Sequence, residues 1–374
     1  MLHIKKIISD NLVNIPGWRT NRKIVVIESD DWGSIRMPSN VVFENMVNAK
    51  IPVNKDLYSI YDSLESNDDL SALFETLKKV KDKYNNNPVI TANTIVANPD
   101  FEKIKNSEFS TYYFETFNET LKRYPKHNEV FKYYEQGINE NIFHPQFHGR
   151  EHLNISQWLN ELQTGNKDML LAFNHEMFGI PIKNTKRGNY MAAFDFNEES
   201  KLAEIQNTIV EGLDIFNSLF GYKSKTLIAP CYVWSSEMDS ILNKEGVKGY
   251  QGIRYQFVPS LSGIDYKKKY HYIGQSNALG QRYLVRNAFF EPTHFSNKEE
   301  ISEIIQRMKI AFFWKKPLIL STHRINFIGS LKESNRKNNL KKFEILLKLI
   351  VKEFPDVEFM SSDKLLELML NDNI

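Results

Sequence analysis

The sequence predicts an α/β fold built on a parallel sheet, either open or closed into a barrel. Three observations predict it. Short apolar, β-branched runs recur at residues 23–28, 89–94, 226–230 and 317–321, continuous rather than alternating, as strands buried on both faces are. Helical periodicity fills the stretches between them. Carboxylates, amides or histidines follow the strand ends, where α/β folds place their chemistry.

In order along the chain, the run at 23–28 ends in Ser29-Asp30-Asp31-Trp32-Gly33. Ser66 precedes a periodic run through Leu70, Leu73, Leu77 and Val80, an N-capped helix that the Asn85-Asn86-Asn87-Pro88 cluster stops. The second strand, 89–94, carries Asn93 near its exit, and Asn98 follows. Residues 100–140 are rich in aromatics, whose role is mainly helix packing. Residues 155–162 and 168–173 read as helices, as do 200–218, through Leu202, Ile205, Ile209, Leu213 and Phe216. After the strand at 226–230, Ser235 caps a helix that ends near Gly246. Residues 255–292 read as short strands and loops. Ser296-Asn297-Lys298-Glu299 is a capping box that opens the next helix. The strand at 317–321 ends in Thr322-His323-Arg324. A long helix through Leu340, Phe343, Leu347 and Ile350, a short strand at 357–359 and a helix at 363–370 complete the chain.

With 374 residues, no internal repeat and no Gly/Ser- or Pro-rich linker, the expectation is one catalytic domain over 1–374, with insertions roughly at 34–87 and 100–140. A net charge of +2 argues against nucleic acid as the main partner, and the Lys267-Lys268-Lys269 run reads as a solvated face. A single cysteine, Cys231, excludes an internal disulfide framework and a cysteine-rich zinc site. No apolar stretch is long enough to span a bilayer, and the first ten residues lack a signal-peptide core. The expectation is therefore a cytoplasmic protein.

The stretch Phe143-His144-Pro145-Gln146-Phe147-His148-Gly149-Arg150-Glu151-His152 bears most directly on function. His144 and His148 stand four apart. With Pro145 at the first position of a helix, both imidazoles would project from one face and suit one divalent cation. A third ligand would come from the carboxylates Asp30 and Asp31.

Together these motifs resemble the polysaccharide deacetylase family, the NodB-like carbohydrate esterases. The order of motifs agrees over most of residues 23–370. Asp30-Asp31 is similar to that family's first motif, His144 and His148 to its second, Ala229-Pro230-Cys231-Tyr232 to its third, and Leu318 to His323 to its fifth. The resemblance implies a distorted (β/α) barrel that hydrolyses an N-acetyl group on a carbohydrate substrate. Asp30 would be the base, and Asp31, His144 and His148 would be ligands to a divalent metal, with zinc the first choice. His323 would be the acid, and a backbone N–H near Cys231 or Tyr232 would hold the oxyanion. Trp32, Asn93, Arg150, Tyr232 and Trp234 are the candidate substrate-binding residues. The chain departs from the family at two motifs. The third motif's arginine is replaced by Ile228 or Ala229, which leaves Arg150, Arg254 or Arg324 to substitute. The fourth motif, which buttresses the acid histidine, has no counterpart. Two alternatives follow: a non-catalytic glycan-binding relative, or a glycosidase that pairs Asp30 with Glu176 or Glu291.

Overall fold

The computed structural model describes residues 2–182, 185, 187–261, 265–294 and 300–372. The capping box expected at 296–299 lies outside them. The strands are β1 (Lys23–Trp32), β2 (Ile90–Ile95), β3 (Ala97–Pro99), β4 (Phe114–Thr116), β5 (Phe143–Gly149), β6 (Thr226–Ile228) and β7 (Gly249–Gly252), followed by β8 (Tyr255–Val258), β9 (Lys267–Tyr270), β10 (Arg282–Val285), β11 (Ala288–Phe289), β12 (Leu318–His323) and β13 (Val357–Phe359). The main sheet runs β10-β7-β6-β5-β2-β1-β12-β11, with β13 beside the start of β1. All of its pairings are parallel.

Chain connectivity forces this sheet to curl. β10 and β11 lie at opposite ends of the strand order, yet only Arg286 and Asn287 separate them. Three residue steps reach at most about 10–11 Å, so the two edges must approach as in a closing barrel. The two linking residues stitch this seam. The Arg286 N–H donates to the Gly252 carbonyl (2.8 Å) on one side, and the Asn287 N–H donates to that of Ile319 (3.1 Å) on the other. The Asn287 side chain extends the second edge by accepting from the Ile319 N–H (2.9 Å).

Alternation along β1 sorts its side chains between two cores. Val25 and Ile27 pack with Leu70, Leu73, Leu77, Phe343 and Leu347, which come from the helices Asn67–Lys78 and Glu333–Glu353. Ile24 and Val26 pack with Ile319, Tyr250, Leu284 and the C-terminal helix residues Leu365, Leu366 and Met369. On this second face the pattern turns from apolar to charged as Glu28 and Asp30 follow. A third cluster, around Trp158, Phe173, Phe101 and Met191, packs apart from the other two.

The helix at Asn67–Lys78 carries the expected Ser66 cap, reciprocated by Asp69 as a full capping box. The helix Ser200–Phe220 ends at Gly221 in the left-handed conformation (φ 75°). The expected helix at the His144-Pro145 motif is absent, because residues 143–149 form strand β5. Pro145 fits there because the ladder to β6 begins only at Phe147. On that side Pro145 offers its carbonyl to the Tyr222 hydroxyl (2.9 Å) and needs no N–H.

Candidate active site

At the end of β1 the backbone leaves regular strand geometry. The register with β2 shifts between Ser29 and Trp32, and Asp31 has φ 76°. Neighbouring residues on a flat strand face opposite ways, but this bulge turns both Asp30 and Asp31 into one cavity. Aspartate tolerates the left-handed conformation better than most residues. The cavity measures about 370 Å³, and His148, His152, His323, Tyr58 and Tyr232 also line it.

The buried residues Asp31, His148 and His152 bring one ligand atom each into a common cluster. Asp31 Oδ1 lies 3.4 Å from His148 Nε2 and 3.4 Å from His152 Nε2. Those separations are long for hydrogen bonds, but they match the ligand–ligand edge of a tetrahedral site with bonds of ~2.0–2.1 Å, which is about 3.3–3.4 Å. His148 Nδ1 donates to the Ile228 carbonyl (2.9 Å), which fixes the tautomer and leaves Nε2 as a lone pair. That Nε2 is buried and has no hydrogen-bond partner. Burial, only partly opposed by Asp31, pushes His152 down to about 3, so its ring is neutral, as a ligand must be. Burial alone would raise Asp31, but the Arg36 guanidinium and the histidines outweigh it and hold the carboxyl well below its usual range. Arg36 occupies the other oxygen, Oδ2, at 3.0 Å. These residues fit a divalent cation.

His144 stands elsewhere. Four residues of strand cover about 13 Å, so the imidazoles of His144 and His148 cannot share an ion. His144 Nε2 sits 3.2 Å from Asp363, and its ring stacks on Tyr222. The histidine that joins His148 is His152. The strand ends at Gly149 (φ 127°), and the turn after it folds the same four-residue spacing back onto Asp31. The sequence holds two overlapping His-x-x-x-His pairs, and that of His148 and His152 is the one that converges.

Asp30 is gripped from two sides. Arg286 Nη2 and Nη1 donate to its two oxygens (2.6 and 2.7 Å), and the Asn93 amide adds a third bond (2.7 Å). Burial alone would raise Asp30, but Arg286 foremost, then His323 and His148, lower it to about 2. Arg286 Nε also binds Glu28 (2.6 Å). That carboxyl has one guanidinium N–H and the Ser362 hydroxyl, which is too little to offset its burial, and it is raised. Arg286 thus favours the charged form of Asp30 more strongly than that of Glu28.

Across the cavity, His323 pairs in register with Asp30 at the ends of adjacent strands, with Nε2 3.7 Å from Asp30 Oδ2. Its Nδ1 donates to Glu291 (2.6 Å), and Glu291 in turn accepts from Asn326 (2.8 Å). Burial alone would lower His323, but Glu291, then Asp30 and Asp31, raise it to about 9. His323 is therefore an imidazolium at neutral pH, facing an ionised Asp30.

Two of the groups around Asp30 and His323 come from parts of the chain that the sequence reading did not single out for these places. The guanidinium against Asp30 belongs to Arg286. Arg150 is bound to Glu151 and Glu211, and Arg324 is buried against Asp62 and Glu65. Arg254 lines an adjoining lobe. The carboxylate behind His323 is Glu291. Arg286 directly follows the strand Arg282–Val285, and that position after a strand was the only local signal for it.

The candidate substrate-binding residues divide. Tyr232 lines the cavity, and its hydroxyl accepts from Arg286 Nη1 (3.2 Å). Asn93 is fully buried and positions Asp30 rather than facing the cavity. Trp32 is core, donating to Ser29 and packing edge-on to Phe143. Trp234 stacks on Tyr250 and His271. Arg150 lies over the Phe114 ring, outside the cavity lining. Glu176 pairs with Arg123 at the surface. The Tyr232 N–H is taken by the Ala229 carbonyl (2.9 Å), which leaves that of Cys231 as the backbone donor suggested for an oxyanion.

A second lobe of about 530 Å³ adjoins the first, sharing Tyr58, Tyr232 and His323 with it. Arg254, Tyr255, Phe289, His294 and Val13 are among the residues that line it. No described helix is long and apolar enough to cross a membrane.

The sequence matches no protein-family profile and no curated protein. Among solved structures, the chain is similar to a protein described as a probable polysaccharide deacetylase from Pseudomonas aeruginosa PAO1, at 9% identity and TM-score 0.46, covering 94% of this chain and 93% of that one. It is also similar to a GH57-type branching enzyme from Pyrococcus horikoshii, at 10% identity and TM-score 0.45, covering 93% of this chain and 70% of that one. A third likeness is to the 4-alpha-glucanotransferase of Thermococcus litoralis, at 9% identity and TM-score 0.44, where 93% of this chain spans 40% of the other.

Proposed function

We propose that this chain is a metal-dependent hydrolase that removes an N-acyl group, acetyl foremost, from an amino sugar, in a single deacetylase-like domain. The observation that carries the reading is the buried Asp31–His148–His152 cluster set between an ionised Asp30 and a protonated His323. A divalent cation held by Asp31, His148 and His152 would supply Lewis acidity toward the acyl oxygen. The chain's own groups account for the proton traffic. Asp30, charged and held by Arg286 and Asn93, accepts the proton of the attacking water. His323, charged and fixed through Nδ1 by Glu291, presents Nε2–H to the leaving nitrogen. Tyr58 and Tyr232 flank both groups and limit access of bulk water; Tyr58 comes from the 34–87 insertion.

The retained charge pair favours turnover over a binding-only relative, since Arg286 and Glu291 supply the parts that the motifs lacked. The engagement of Glu291 with His323 leaves it less suited to act alone as a glycosidase acid. The test is elemental analysis of the purified protein, followed by acetate release from N-acetylated amino-sugar oligomers with and without chelator. About one divalent ion per chain and chelator-sensitive release are expected. A fully loaded protein that releases no acetate from any of these oligomers, or that frees reducing sugar in the presence of chelator, overturns the reading.

A further inference from the structure

The β8–β9 hairpin stands at the mouth of the cleft. Its register sets Tyr255 opposite Tyr270 and Phe257 opposite Lys268, so these four residues share one face. The opposite face is anchored through Gln256, which is buried, donates to the Trp234 carbonyl (2.7 Å) and contacts His271 (3.0 Å).

Cations crowd the free face. Lys268 Nζ lies 5.5 Å from the Tyr255 ring centre and 5.8 Å from that of Phe257. The Arg254 guanidinium lies 5.4 Å from Tyr255, and that of Arg187 lies 5.8 Å from Phe257. Lys268 on this face is exposed, as are Arg187 and Arg254, while Lys267 and Lys269 lie on the opposite face by the same register. Among the described residues, none of Lys268, Arg187 and Arg254 forms an ion pair with a carboxylate. Elsewhere on the molecule exposed lysines commonly have one, as Lys122 has Glu119 and Lys348 has Glu344. The face is continuous with the cleft, because Arg254 and Tyr255 line the second lobe and Arg187 lines the first.

We infer that this hairpin face binds an acidic oligosaccharide, its aromatic rings taking sugar faces and its cations taking sugar carboxylates, and that it feeds such a chain into the cleft. A guanidinium held over a ring keeps its N–H edge free for a carboxylate. Charge complementarity requires an anionic partner. The net charge of only +2 and the continuity with a site of carbohydrate chemistry favour a glycan over nucleic acid. The inference rests on the carbohydrate reading of the cleft, though not on catalysis.

The experiment is direct binding to the full chain after chelator treatment, so that no acyl hydrolysis enters the measurement. The probes are oligogalacturonate, a neutral cello-oligosaccharide of the same length, and oligodeoxythymidylate of the same charge. Oligogalacturonate should bind at least about tenfold more tightly than either control and should weaken as salt rises through the range where the screening length falls below about 10 Å. Arg254→Glu combined with Lys268→Glu should remove that preference at unchanged Tm, and Phe257→Ala should weaken binding at every salt concentration. The salt series on the unaltered protein needs no variant to fold. Equal affinity for the neutral oligosaccharide, tighter binding of the nucleic acid, or no binding of oligogalacturonate overturns the inference. Acetate release can fail while this binding holds, and the reverse, so the two readings stand or fall separately.

Discussion

Replacing Arg286 with Met removes the one cation between two buried carboxylates. The Arg286 side chain is fully buried, as is that of Glu28, and Asp30 is nearly so. Methionine fills similar space but donates nothing, so Asp30 keeps the Asn93 amide and the facing His323, and Glu28 only the Ser362 hydroxyl. Removing one partner of a buried ion pair typically costs about 3–5 kcal/mol, most of it from the charge left behind. The linkage argument gives a figure of similar size. Asp30 sits at about 2, against an ordinary value of 3.8, and each unit corresponds to about 1.4 kcal/mol, so its ionised form contributes on the order of 2 kcal/mol at neutral pH, a net of burial against Arg286 foremost and then His323 and His148.

The pH dependence carries a sign. A depressed carboxyl stabilises the fold above its unfolded value, and that contribution is lost as pH falls from 3.8 toward about 2. In the variant, burial without Arg286 raises both carboxyls, so protonation relieves the penalty. Urea unfolding at neutral pH should therefore show a loss of about 3–5 kcal/mol that shrinks steadily as pH is lowered toward the carboxylate range. Arg286→Lys, which keeps the charge but not the two-pronged grip, should lose less. A loss below about 1 kcal/mol, or one that grows on acidification, refutes the assignment of Arg286 as the counter-ion of Asp30.

Other outcomes follow from the same geometry. His152→Ala should strip the cation from the purified protein while His144→Ala leaves it bound, read as metal per chain; the opposite pattern would restore the ligand set expected from the sequence. Asp30→Asn should lower turnover by ~10²–10⁴ with metal retained, whereas Asp31→Asn should lose both; an Asp30→Asn protein that emptied the site would reverse the two roles. His323, raised to about 9 by Glu291 ahead of Asp30 and Asp31, stabilises the fold fully below about 6.5 and loses that contribution as pH rises through about 9. Glu291→Gln should therefore lower Tm most at pH 6 and least near pH 10, with the alkaline limb of activity moved to lower pH. A pH-independent Tm difference would show that Glu291 does not set the charge of His323, which Tyr58 and His294 also border.

The strands and most helices were legible because burial on both faces writes continuous apolar runs, and because caps such as Ser66 with Asp69 are local. Asp30, Asp31 and His323 were legible for the same reason, each standing directly after such a run. The histidines of the cluster with Asp31 were only half legible. A four-residue spacing brings two imidazoles together on a helix, separates them along a strand, and reunites them across a turn. The sequence offered His144–His148 and His148–His152 alike, and only the strand geometry of β5, which the proline disguised, separates them.

Arg286 and Glu291 were not legible, and the reason is geometric. The proposed chemistry uses a guanidinium against Asp30 and a carboxylate behind His323, and it sets no requirement on where along the chain they originate. In a sheet curled until its edges meet, every strand exit opens toward the same centre, so a residue from any of them can reach it. Here the seam supplies both groups. Arg286 lies within it, between β10 and β11, and Glu291 follows two residues after β11. A motif comparison that runs along the chain finds nothing at the expected places, while the folded barrel holds both charges in contact with their partners. If the seam is what places them, lengthening it should separate the two roles. One glycine inserted between Arg286 and Asn287 should loosen the grip of Arg286 on Asp30, yet spare the Glu291–His323 pair, because Asn287 and Phe290 remain tied to β12 through the Ile319 and Ser321 carbonyls. The pH midpoint of His323, followed by its imidazole NMR signal, should then stay raised while stability at neutral pH falls by an amount that shrinks on acidification. A midpoint that collapsed together with that neutral-pH stability would mean that the two groups are held as one unit rather than by the two edges of the seam.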